Sequence, residues 1–264
     1  MEKKINDYSD FDIPEILNCV FHPRGDFSQP IPSNTLKYLD FEMEDGVKIG
    51  STLHISNKTN PTIIFFHGNG EIVSDYDDLG PVFGQIGINF FPVDYRGYGR
   101  STGTPTLTAM MNDCHSIFKQ AKSWLSGNGF TGPIIIMGRS LGSASAIELA
   151  SVCKDDIDAL IIESGFAYII PLIRLLGISA DYPGVNEESG TENYEKIKQF
   201  TKPTLIIHAE FDHIIPFSDG EILYNNSESQ SKKLLEIKNA DHNSIFHTGF
   251  KEYMEAIKEL IQQL

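Results

Sequence analysis

The sequence predicts an α/β fold, a mostly parallel sheet with helices on both faces, entered through an antiparallel hairpin. Two observations carry that expectation. Short, continuously apolar runs rich in β-branched residues recur along the chain, and amphipathic stretches separate them, the alternation that a parallel sheet requires. One such run, Ile134-Ile135-Ile136-Met137, passes directly into Gly138-Arg139-Ser140-Leu141-Gly142 and then into a helical segment. This is G-x-S-x-G between a strand and a helix, the context in which the motif turns a serine outward. The turn is tight enough that the positions two before and two after the serine must be small, and both are glycine. Ser140 is therefore the candidate nucleophile.

The elements follow in order. Ile13, Ile16, Leu17, Val20 and Phe21 recur at helical spacing and predict a short amphipathic helix packed on the body. Residues 36–43 and 47–54 predict two strands around Asp45-Gly46, a hairpin turn. After Asn60-Pro61, residues 62–66 form a strand buried on both faces, ending in His67-Gly68-Asn69-Gly70. A helical stretch around 76–85 leads to a strand at 89–93, ending in Asp94-Tyr95-Arg96-Gly97-Tyr98-Gly99. From Leu107 a helix of about 17 residues is expected, then the 134–137 strand and a helix over 140–152. Strands follow at 159–163, at 203–209 with Pro203 in the first position where no donor is missed, and at 233–237. A short helix over 214–225 and a closing helix over 248–264 complete the alternation, which residues 164–200 interrupt.

Bulk properties limit the function classes. The chain has 264 residues, ample for one α/β domain, and 41% hydrophobic against 22% charged residues is a globular composition. A formal charge of −15 argues against nucleic acid and against docking on anionic lipid, because no basic patch could neutralise phosphates. Cys19, Cys114 and Cys153 are scattered and show no metal-ligand spacing, so they read as reduced thiols. The N-terminal residues lack the apolar run of a secretory signal, and no stretch approaches the roughly 18–20 apolar residues of a membrane span. A cytoplasmic protein without a stable membrane anchor is expected.

A serine hydroxyl needs a base, a group to hold the base, and donors for the oxyanion. In open α/β sheets these sit beyond the carboxyl ends of the strands. Asp241-His242-Asn243 lies past the last strand and before the final helix, which makes His242 the base, whereas His247 is expected to begin or cap that helix. The strand ending His208-Ala209 leads into Glu210-Phe211-Asp212-His213, and placement favours Asp212 as the orienting acid. Glu163, at the end of the preceding strand, is its rival. For the oxyanion, the N–H of Leu141 stands at a helix N-terminus, and the glycines around Asn69 let its N–H approach closely as the second donor. Arg139 is left without a role.

With these residues placed, the sequence resembles the α/β-hydrolase superfamily in its compact serine-hydrolase branch. H-G-N-G at 67–70, D-Y-R-G-Y-G-R-S at 94–101, G-R-S-L-G at 138–142, P-T-L-I-I-H-A-E-F-D-H-I-I-P at 203–216 and A-D-H-N at 240–243 stand in the family's order over residues 36–264. The resemblance implies an eight-stranded sheet, a Ser140–His242–Asp212 triad, and structural roles for Asp94 and Arg96. It also implies that 164–200 is a small cap insertion within a single domain, with the apolar residues from Phe166 to Ile178 either covering the serine or packing in the ordinary core. The expected function is hydrolysis of carboxylic esters or thioesters of a small acyl substrate, with no cofactor or metal. A peptidase or amidase of the same fold, or a non-catalytic binding protein, are the alternatives.

Overall fold

A computed structural model describes residues 8–27, 31, 33–175, 177 and 192–264. Its centre is one eight-stranded sheet. The strands are β1 (Leu36–Glu42), β2 (Lys48–His54), β3 (Thr62–Phe66), β4 (Asn89–Val93), β5 (Ile134–Arg139), β6 (Ala159–Glu163), β7 (Thr204–Ala209) and β8 (Lys232–Ile237). They lie in the order β1-β2-β4-β3-β5-β6-β7-β8. β1 and β2 form the expected antiparallel hairpin, β2 joins β4 antiparallel, and every later pairing is parallel.

The apolar runs are continuous because helices cover both faces, and alternate residues feed opposite cores. Ile64, Phe66, Ile136, Leu160 and Ile206 enter one buried cluster; Ile63, Phe65, Ile135, Ile161 and Leu205 enter the other. The helices are α1 (Pro14–Val20), α2 (Leu79–Gln85), α3 (Leu107–Gly127), α4 (Gly142–Val152), α5 (Ile169–Leu175), α6 (Asn193–Lys196), α7 (Phe217–Asn226), α8 (Ile245–Thr248) and α9 (Phe250–Ile261). Pro14 at the first position of α1 and the Thr106 side chain accepting from Ala109 N–H at 2.9 Å mark two of the helix starts.

Three departures from expectation follow from packing. The helix from Leu107 runs to 21 residues, longer than its periodicity suggested, since Leu125 is still buried near its end. The closing helix is broken: His247 belongs to the separate turn α8, and Gly249, against whose Cα the Ile237 side chain packs, divides it from α9. The acidic composition of 187–195 predicts exposed loop, but its last residues belong to α6, where Asn193 is buried and donates from Nδ2 to Phe166 O at 2.9 Å. In the 164–200 segment Phe166, Ile169, Ile170 and Ile173 join the main core, while Leu175 is exposed. Leu176, Ile178 and Tyr182-Pro183-Gly184, whose turn-forming residues predict exposed loop, lie outside the described residues.

Register places the site. Phe66 stands beside both Val93 and Gly138, and Glu163 beside both Arg139 and Ile207. The ends of β3, β5, β6 and β7 thus reach one level, and the segments beyond them meet.

Candidate active site

Ser140 follows the last residue of β5 with a φ of +50°, in the left-handed region that costs a non-glycine residue about a kilocalorie or more. The two glycines around it are held by backbone. A Cβ on Gly142 would lie 2.1 Å from Phe66 O, and one on Gly138 would lie 2.3 Å from Gly142 O. The turn is pinned further by Ser140 N–H donating to Glu163 O at 2.9 Å. Strand, serine and helix are thereby wedged against the end of β3.

The loop beyond β8 carries His242 to this turn. Ser140 Oγ lies 3.0 Å from His242 Nε2, and His242 Nδ1 lies 2.7 Å from Asp212 Oδ2. All three side chains are buried. Burial alone would raise the Asp212 carboxyl, but its bonds with His242 and with the N–H of Ile215 outweigh that and hold it below the usual carboxylate range. Oδ1 also accepts from Ile214 N–H at 3.0 Å. An ionised carboxylate can only accept, so Nδ1 carries the imidazole proton and Nε2 presents its lone pair to the serine hydroxyl. Behind the acid, buried His208 donates from Nε2 to Ile215 O at 2.9 Å, with burial lowering its pKa, so a neutral ring supports the acid loop.

Glu163, the rival acid, is engaged elsewhere. The strand register sets it opposite Arg139, and its Oε1 lies 3.1 Å from Arg139 Nε while Oε2 accepts from Tyr253 O–H at 2.6 Å. Burial pushes its pKa up against the pull of Arg139 and Tyr253.

Arg139, unassigned from sequence, joins three loops. Its Nη2 donates to His242 O at 2.9 Å, its Nε meets Glu163, and its Nη1 lies 3.2 Å from Glu71 Oε1. Glu71 Oε2 in turn accepts from Gly68 N–H at 2.6 Å and from Tyr76 O–H at 2.5 Å. Burial opposes the guanidinium charge, yet the two carboxylates hold it more firmly protonated than usual. One side chain therefore links the serine turn, the base loop and the loop after β3. No local motif marked Glu71 or Tyr253, because Arg139 and Glu163, the charged groups they meet, lie far away in sequence.

The loop after β3 is itself tightly held. Tyr95 O–H donates to His67 O at 2.7 Å, and His67 Nδ1–H donates to Gly68 O at 2.7 Å. Among the described residues, neither Asn69 N–H nor Leu141 N–H is spent on another hydrogen bond, and Leu141 stands at the N-terminus of α4. Asp94 and Arg96 act in scaffolding. Buried Asp94 accepts from Val73 N–H at 2.9 Å, and Arg96 grips Asp113 through Nε at 2.6 Å and Nη2 at 2.9 Å. No group of three or more His, Cys, Asp or Glu among the described residues is placed to hold a metal ion.

The chain has the fold of the α/β-hydrolase superfamily. The family model described as serine aminopeptidase, S33, matches residues 57–180, which span β3 to the segment after β6. The chain is 34% identical over 183 residues to the lysophosphatidylserine lipase ABHD12 of Rattus norvegicus, a match covering 63% of this chain and 45% of the rat protein. It thus spans less than half of that relative's length. It is 30% identical over 213 residues to alpha/beta hydrolase domain-containing protein 17B of Homo sapiens, covering 76% of this chain and 66% of that one. Among solved structures, the Pyrococcus furiosus esterase Pf2001 superposes with a TM-score of 0.73 at 19% identity, over 91% of this chain and 98% of the esterase chain. Among the described residues, no helix is long and apolar enough to cross a membrane.

Proposed function

We propose that this protein is a serine hydrolase that cleaves carboxylic esters, or thioesters, through an acyl-enzyme on Ser140. The observation that carries the reading is the line Ser140 Oγ–His242 Nε2–Asp212, with separations of 3.0 and 2.7 Å, on a strained turn that presents the serine. His242 takes the Ser140 proton as Oγ attacks the acyl carbonyl. The negative charge that forms on the carbonyl oxygen meets the N–H groups of Leu141 and Asn69. Asp212 stabilises the imidazolium and keeps its ring oriented. The imidazolium returns its proton to the departing alcohol or thiol. Water, deprotonated by His242, then attacks the acyl carbonyl and releases the acid and free Ser140.

The similarity to a protein described as a lipase supports an acyl-ester substrate class. A panel of p-nitrophenyl esters of graded chain length tests the reading, with Ser140→Ala as control. Turnover that disappears in Ser140→Ala supports it; turnover retained in that variant overturns it. A preference among chain lengths would report how far the pocket beside the serine extends.

The family description as a serine aminopeptidase favours one second reading, cleavage of an amide at the same serine. Aminoacyl p-nitroanilides distinguish the two, since an esterase built for good leaving groups leaves them intact. Failure of Ser140 to react with a fluorophosphonate probe would favour a binding protein over either.

A further inference from the structure

Before the first strand, the chain runs as a strap across the loop after β3, and its contacts converge on Asn69. His22 N–H lies 2.8 Å from both Asn69 Oδ1 and Tyr98 Oη, and Tyr98 O–H donates to the same Oδ1 at 2.7 Å. On the other side of the carboxamide, Asn69 Nδ2 donates to His22 Nδ1 at 2.7 Å. One residue thus grips both ends of the Asn69 side chain. Two residues on, Arg24 Nε donates to Gly70 O at 2.7 Å, and its guanidinium is paired with Asp75.

The strap is fastened to the fold independently of this loop. Asp26 N–H donates to Gly99 O at 2.9 Å, Gly99 N–H donates to Arg24 O at 2.9 Å, and buried Phe21 and Val20 anchor its start. Gly99 has a φ of +55°, and a Cβ there would lie 2.1 Å from Asp94 Oδ2, so this attachment point is itself rigid. The strap therefore transmits the position of the 94–101 turn to the Asn69 peptide.

We propose that His22 is a positioning residue of the reaction: it orients the Asn69 peptide so that its N–H meets the oxyanion. The inference rests on the hydrolase reading, which gives Asn69 N–H that task. Every hydrogen-bonding atom of the Asn69 carboxamide except one Nδ2 hydrogen is engaged by His22 or Tyr98, so the side chain cannot rotate without carrying the peptide with it. An oxyanion donor works only if fixed in advance where charge develops, and small displacements there are expensive.

His22→Ala removes the imidazole acceptor but keeps the backbone donor; His22→Gln returns an acceptor. With p-nitrophenyl butyrate, and rates normalised to serines titrated by fluorophosphonate, His22→Ala should lower kcat about 10–100-fold with KM little changed. His22→Gln should recover part of that loss. Arg24→Ala, which frees Gly70 O, should act in the same direction and serves if His22→Ala folds poorly. Hydrogen exchange of the 67–72 peptide, measured with and without His22→Ala in a Ser140→Ala background, reads the clamp without turnover and should speed up. An unchanged kcat per titrated serine in both strap variants overturns the proposal, as does a loss of thermal stability with that kcat intact. If the unmodified protein shows no Ser140-dependent turnover, the hydrolase reading falls, and unchanged exchange at 67–72 would overturn the clamp separately.

Discussion

Arg139 donates from Nη2 to the backbone carbonyl of His242 at 2.9 Å, so the residue just before the serine holds the loop that carries the imidazole. The same guanidinium meets Glu163 and Glu71, and Glu71 receives Gly68 N–H. Separations within the site are therefore set by a planar fork with fixed angles rather than by loop packing alone. Arg139→Lys keeps the charge and loses the fork. It should lower kcat about 10-fold through a displaced His242, measured with p-nitrophenyl butyrate against titrated serine. Arg139→Gln should cost about 3–5 kcal/mol in urea unfolding, because it strands the buried Glu163 carboxylate. A lysine variant with unimpaired kcat would show that the fork is dispensable.

The two carboxylates that compete for the role of orienting acid separate cleanly by mutation. Asp212→Asn cannot hold the Nδ1–H tautomer and should reduce kcat on the order of 10⁴-fold, the loss seen for the same change in the serine-protease triad. Glu163→Gln should leave kcat within a few-fold and act on stability, since its partners are Arg139 and Tyr253. A larger kcat loss in Glu163→Gln than in Asp212→Asn would reverse the assignment.

Glycine matters at the elbow for a steric reason that Gly127 does not share. Gly142→Ala sets a methyl 2.1 Å from Phe66 O, a backbone atom that cannot step aside. It should destabilise the protein by at least about 3 kcal/mol. Gly127→Ala, in the last position of α3 with nothing within 4 Å of the added carbon, should be neutral or stabilising by up to about 1 kcal/mol. Urea midpoints of the two variants make the comparison.

Away from the site, His115 Nε2 lies 3.1 Å from Glu148 Oε1, and Lys196 Nζ lies 2.6 Å from Glu148 Oε2 while donating to Tyr8 Oη at 2.6 Å. Bonds to Cys153 and Glu148 raise the His115 pKa from 6.5 to about 9 against the effect of burial. Burial alone would raise Glu148, but His115 and Lys196 outweigh it and bring it from 4.5 to about 2. A raised histidine stabilises fully below its unfolded value of 6.5 and loses that contribution as pH rises through about 9; a depressed carboxylate stabilises above 4.5 and loses its contribution as pH falls through about 2. Both contributions are present between 4.5 and 6.5. The melting temperature should therefore fall between pH 6.5 and 9 in the unmodified protein, and the fall should be smaller in His115→Gln. Parallel melting curves for the two proteins across that range would contradict this.

Much of the fold was legible because its determinants are local. Uninterrupted runs such as Ile63-Ile64-Phe65-Phe66 declare strands with two covered faces, and Gly138 and Gly142 declare the tight turn between β5 and α4. The elbow serine, the histidine past the last strand and the glycine-flanked Asn69 were legible for the same reason: each stands where the topology brings strand ends together.

What sequence reading left open turned on partners distant along the chain. Glu163 ends one strand and Asp212 lies just past the next, and only the pairing register, which puts Arg139 opposite Glu163, decides which carboxylate is left for His242. The apolar residues after Phe166 looked uniform, yet packing divides them, burying Ile169, Ile170 and Ile173 and exposing Leu175. His22, an unremarkable residue before a proline, reaches Asn69 across 47 positions. The sequence by itself determined the strands, the elbow and the residue types that a serine nucleophile needs, since propensity, apolar patterning and glycine sterics act over a few neighbouring residues. Only the tertiary structure decided which charges and carboxamides pair, because a buried guanidinium or amide takes its partner from whatever the folded chain carries within about 3 Å of it.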